Sequence, residues 1–171
     1  MLPNGSIILG YRADVREGTD LHGEYVSVAH ANTIEGPFVD GRRIKPAIWE
    51  GAAEDPCLWQ DERGHWHMLM HNMNRSEPTG MHAFSRDGHT WTRSTVFPFD
   101  AAVNFSDGTS TEMKRRERPE LLLSKRGQPR YFVSGVMDYD DHTYTLVVKV
   151  RASKASDRTA VARERHEGGG A

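Results

Sequence analysis

The chain holds a single cysteine, Cys57, so no internal disulfide can form and the redox compartment stays open. No apolar stretch approaches the ~20 residues that cross a bilayer as a helix. Nor does a basic segment lead into an apolar one near the start, where Leu2-Pro3-Asn4-Gly5 reads as a turn. The chain therefore reads as cytosolic, or as a piece of a longer protein. Charge of one sign is missing too. The net charge is −2, so nothing global draws the chain to nucleic acid or to an anionic membrane. No segment sustains a 3.6-residue apolar period, which predicts little helix. There is no phosphate loop, nucleotide fingerprint or Ser-His-Asp order, and no cofactor is expected.

What is present is a repeat. Gly5, Gly64 and Gly127 recur at intervals of about sixty residues, each opening a strand after a polar turn. The strands are Ser6–Tyr11, His65–His71 and Gln128–Ser134. The second and third follow an earlier apolar run that starts with an acidic residue near a proline: Glu54-Asp55-Pro56-Cys57-Leu58-Trp59 and Glu117-Arg118-Pro119-Glu120-Leu121-Leu122-Leu123. Strand, glycine turn and strand make a hairpin. A third strand follows at Tyr25–Ala31 and at Gly80–Ser85, and a fourth at Arg43–Trp49 and at Thr92–Phe97. Thr143–Val150 supplies the third strand of the last unit. Asp107-Gly108 signals a further hairpin with a type I′ turn.

Units of four antiparallel strands are the blades of a β-propeller. The reading is all-β: a partial propeller of about two and a half blades over residues 1–150. An open propeller leaves unpaired edges, so missing blades or self-association are expected. Residues 151–171 differ. Val161 is their one large apolar side chain, and the stretch closes on Gly168-Gly169-Gly170-Ala171. Such a segment cannot offset its ordering entropy and reads as a disordered tail.

Charges at strand starts cost desolvation free energy, so paired carboxylates there point to a shared pocket. At these residues the chain resembles the five-bladed β-propeller glycoside hydrolases of families 43, 62, 32 and 68, with the nearest likeness to family 43. Four phrases carry the resemblance: Asn32–Phe38, Glu54-Asp55-Pro56, Gly80–Trp91 and Arg116-Glu117-Arg118-Pro119. The resemblance implies hydrolysis of a glycosidic bond in a carbohydrate substrate. It implies Glu117 as the general acid and Asp55 as the group that stabilises the transition state and tunes the acid. The family's first-blade Asp, its base or nucleophile, has no counterpart here. That departure implies poor turnover by this chain, with Asp14 and Asp138 as the only substitutes considered. A catalytically inactive carbohydrate-binding propeller is the alternative.

Other candidates follow from strand alternation. His67, Leu69 and His71 share one face, and His71 at its end is a candidate for binding a sugar hydroxyl. His82, Arg116 and Arg118 are further candidates for substrate binding. Alternation sends Glu54 to the face opposite Asp55, and Glu120 to solvent. Trp59, Trp66 and Trp91 read as blade core. The histidines do not make a zinc site, because the four-residue spacing of His67 and His71 converges on a helix and not on a strand. No metal is expected.

Overall fold

The computed structural model describes residues 5–14, 24–40, 48–50, 53–74, 79–105 and 107–150. The strands in chain order are β1 (Ile7–Asp14), β2 (Glu24–Ala31), β3 (Val39–Asp40), β4 (Trp49–Glu50), β5 (Ala53–Gln60), β6 (Trp66–Asn72), β7 (Gly80–Ser85), β8 (Trp91–Arg93), β9 (Ala102–Asn104), β10 (Ser110–Glu112), β11 (Arg115–Leu123), β12 (Pro129–Met137) and β13 (Thr143–Lys149). No helix occurs among the described residues. The tail expected to be disordered lies outside them.

All sheets are antiparallel. The most complete one runs β5-β6-β7-β8, and a three-stranded one runs β11-β12-β13. In the first sheet β2 lies between β1 and both β3 and β4, which pair with opposite ends of β2. The repeat aligns β1, β6 and β12 as second strands of their units. Among the described residues no strand pairs with the remaining edge of β1, so the first unit has no counterpart of β5 or β11. The described residues are all-β, built from small antiparallel sheets as the sequence leads one to expect. The inner strands meet: β5 packs against β1 on one side and β11 on the other.

The main core lies between the first two sheets. Val26 and Val28 of β2 meet Ala53, Met68, Met70, Met81 and Ala83 of the second sheet, with Ile48 beside them. Three of these are methionines with at most 1 % exposure. Burying each contributes about 1.5–3 kcal/mol. Trp66 is buried and Trp91 packs against this core, as expected of blade tryptophans. A smaller cluster of Val103, Met113 and Val136 joins the β9–β10 ribbon to the last sheet.

Glycine fixes one seam between sheets. Gly127 has φ +74°, and a Cβ there would stand 2.4 Å from the Gln60 carbonyl oxygen. The β11–β12 turn can therefore rest directly on the β5–β6 turn, where Gln128 also donates to Glu62 at 3.2 Å. The Asp107-Gly108 hairpin forms, but not as a two-residue turn. Asn104 pairs with Ser110, and only Gly108 has a positive φ, whereas a type I′ turn needs two such residues. The Asp107 carboxylate instead accepts from the Thr109 N–H at 2.9 Å and closes a wider loop.

Candidate functional site

The two inner strands carry the same irregularity. In β5 the pairing with β6 slips between Glu54 and Cys57, and in β11 the pairing with β12 slips between Glu117 and Glu120. Within each slip one residue before proline sits at positive φ: Asp55 at 52° and Arg118 at 55°. Non-glycine residues rarely adopt this conformation, and it concentrates where surrounding structure enforces it. Each strand thus kinks at a Glu-x-Pro phrase, Glu54-Asp55-Pro56 and Glu117-Arg118-Pro119.

Ladder pairing decides which carboxylates meet. Glu54 pairs across the ladder with His71, and His71 Nδ1 lies 2.9 Å from Glu54 Oε1. Glu54, His71 and Glu117 each present an atom within 4.8 Å of the others. Alternation would have sent Glu54 to the far face. Glu54 precedes the slip, so its regular pairing with His71 puts both on one face, near Glu117. Glu54 is the residue that sequence reasoning missed. Aligning the two strands on their prolines, so that Glu54 falls on Glu117, is the signal that finds it.

Glu117 is buried, with the guanidiniums of Arg115 and Arg118 as ion-pair partners; the Arg118 contact is 3.1 Å. Arg12 reaches Glu54 at 3.9 Å. Glu117 lines a cleft of about 390 Å³ with Arg115, Arg118, Gly135, Met137 and Tyr144. Opposite Glu117 in the ladder stands Gly135, which places no side chain directly across from the carboxylate, between the flanking Val133 and Met137 of the cleft wall.

Asp55 lies on the neighbouring inner strand and does not line this cleft. Its Oδ2 accepts the Arg118 backbone N–H at 3.1 Å, tying β5 to β11 across the seam. Burial, and then the negative charge of Glu54, push its proton affinity above the ordinary Asp value.

Two expected substrate residues lie elsewhere. Arg116 alternates away from Glu117 and is buried. Its guanidinium donates to the Asp100 carbonyl at 2.9 Å, the Ala102 carbonyl at 3.2 Å and Ser134 Oγ at 3.2 Å, over the rings of Phe99 and Phe132. It fastens the segment before β9 to the last sheet and does not reach the Glu117 cleft. His82 stands behind the inner strand, stacked between His67 and Phe84. Its Nε2 is 3.1 Å from His67 Nδ1. Burial, and then the neighbouring His67, lower its pKa to about 4. Trp59 stacks on His67, and His67 Nε2 reaches Asp61 at 3.5 Å. Glu120 is exposed, as alternation predicts, with its Oε2 3.6 Å from the buried Cys57 thiol. Burial, and then Glu120, push that thiol up to about 12, so it is no nucleophile at neutral pH.

Asp138 sits in the β12–β13 turn, where one oxygen accepts the N–H groups of Asp140 and His142, both at 3.0 Å. It is spent on its own turn. The side chain of Asp14 lies outside the described residues. Two groups among the described residues bring three possible metal ligands together: Glu54, His71 and Glu117, and Asp138, Asp140 and His142. In the first, Arg12 contacts Glu54, and Arg115 and Arg118 contact Glu117. The second is an exposed turn.

Neither a protein-family model nor a curated protein sequence matches this chain. Among solved structures it is similar to a glycosyl hydrolase from Bacteroides ovatus, with 21% identity over 85% of this chain and a TM-score of 0.46. The alignment covers 46% of that protein, so this chain spans less than half its length.

Proposed function

We propose that this chain carries the working part of a glycoside hydrolase site, with Glu117 as general acid and Asp55 as the group that steadies the positive charge of the transition state. The observation that supports it most is the paired kink. Two inner strands turn carboxylates toward one seam, and one of them opens on a cleft. Glycosidases protonate the leaving oxygen from one carboxyl group and stabilise an oxocarbenium-like state with another. His71 and Arg118 lie close enough to this seam to contact substrate hydroxyls. Arabinofuranosides and xylosides are the substrates that the resemblance of the chain favours.

The test is hydrolysis of a panel of aryl arabinofuranosides, aryl xylosides and sucrose-type substrates by the full chain and by Glu117→Gln. The expected outcome is slow turnover by the parent, falling by a further ~10²–10⁴-fold in the variant, the usual worth of general acid–base assistance. Equal rates in the two proteins would reject Glu117 as the acid.

A second reading has its own observation. Glu117 is clamped by two guanidiniums, an arrangement that serves a carbohydrate-binding propeller without turnover equally well. Sugar binding by calorimetry, with no hydrolysis of any panel member, would favour it.

A further inference from the structure

We propose that Glu54 is the second catalytic carboxylate, acting as the nucleophile of a retaining reaction in which Glu117 is acid and base. This rests on the glycosidase reading above and fills the one role which that reading leaves unassigned.

Three observations carry it. The first is spacing. A Glu54 oxygen and a Glu117 oxygen lie within 4.8 Å. Retaining glycosidases hold their two carboxyl groups ~5–5.5 Å apart, while inverting ones need ~6.5–9.5 Å to fit a water between them. The second is the set of partners. His71 Nδ1 hydrogen-bonds Glu54 at 2.9 Å and the Arg12 guanidinium makes an ion-pair contact with it at 3.9 Å, partners that suit an anionic carboxylate. Pairing of Glu54 with His71 in the β5–β6 ladder fixes the orientation of both. The third is access. Glu54 does not itself line the cleft, but its side chain keeps 18% of its exposure, against 11% for Glu117, which does. Asp55 is the poorer candidate, because Glu54 and not Asp55 is grouped with Glu117 within 4.8 Å, while Asp55 ties the two strands through the Arg118 N–H.

The chemistry balances with water as the only co-reactant. A Glu54 oxygen bonds to the anomeric carbon while the bond from that carbon to the leaving oxygen breaks, and Glu117 gives that oxygen its proton. Glu117 then takes a proton from water. The water oxygen bonds to the anomeric carbon and the bond to Glu54 breaks.

The experiment uses the full chain and activated fluorosugars, dinitrophenyl arabinofuranoside and xyloside in which fluorine replaces the hydroxyl beside the anomeric carbon. Intact mass and peptide mapping should find one glycosyl adduct, on Glu54. Proton NMR of the first product from the ordinary glycoside should show the anomer of the substrate. Glu54→Gln should lose at least ~100-fold in kcat. If Glu54→Gln fails to fold, Glu54→Gly with added azide serves instead, and a glycosyl azide of inverted configuration is the expected product. An adduct on another carboxylate, an inverted sugar product, or turnover that survives Glu54→Gln but is lost in Glu117→Gln would overturn the Glu54 assignment alone. Absence of both hydrolysis and labelling in the parent chain would overturn the glycosidase reading and this assignment together.

Discussion

Strands β5 and β11 kink in the same way and do different things with the kink. In β5 the residue at positive φ is Asp55, half-buried, whose side chain reaches across to the β11 backbone. In β11 it is Arg118, exposed, whose side chain returns to Glu117 of its own strand. One strand makes the tie and the other receives it. A shared backbone irregularity therefore does not imply shared side-chain roles. In both strands the preceding glutamate keeps its ladder partner, and the residue at the kink is free to serve the seam or the site.

The largest stability effect should separate the two kinks. Asp tolerates left-handed backbone better than Ala does, and Asp55 also supplies an acceptor to Arg118. Asp55→Ala should cost about 2 kcal/mol in urea unfolding, the sum of a lost hydrogen bond and added strain. Arg118→Ala leaves the tie intact and loses one of the two ion pairs of the buried Glu117, the Arg115 pair remaining, at a cost of about 1 kcal/mol. Equal losses in the two variants would mean that the tie does not distinguish the strands.

A smaller effect should be confined to acid. The blade of β5 encloses His82, whose pKa is lowered to about 4 by burial and then by His67. A base with a lowered folded pKa adds stability above its unfolded value, near 6.5, and that stability is lost as pH falls toward 4. His82→Phe, packed against Trp59 and Phe84, should match the parent at pH 7 and exceed its thermal midpoint near pH 4.5. A constant difference across that range would contradict the buried neutral imidazole.

The smallest effect concerns charge at the β5 kink. The Asp55 proton affinity is raised, by burial first and then by Glu54. An acid raised in the folded state favours folding at low pH, and that contribution is lost as pH climbs through its folded pKa. Asp55→Asn keeps the acceptor and the tolerated backbone. Its stability relative to the parent should improve from pH 3 to pH 7, by under about 1 kcal/mol. A relative decline over that range would reverse the sign argued here.

The hairpins were legible because alternation and turn glycines are local signals: Gly64 and Gly127 do sit at positive φ between paired strands. The site was legible only in part. Glu117 and Asp55 stand out by their prolines, but the facing of Glu54 follows from its pairing with His71 across the ladder, a register that no local pattern encodes. Arg116 misled for another reason. Its partners are main-chain carbonyls of Asp100 and Ala102, brought in by a loop whose path no local pattern encodes. Asp107-Gly108 marked a real hairpin, yet the side-chain bond of Asp107 to Thr109 widened the turn.

The central claim is that Glu117 protonates the leaving oxygen, and dependence on the leaving group tests it most directly. Aryl glycosides from unsubstituted phenol to dinitrophenol should be hydrolysed by the parent and by Glu117→Gln. Phenols that need protonation should lose ~10²–10⁴-fold in the variant, while dinitrophenyl glycosides, whose leaving group departs as an anion, should lose little. A uniform loss across the series, or none, would contradict the account.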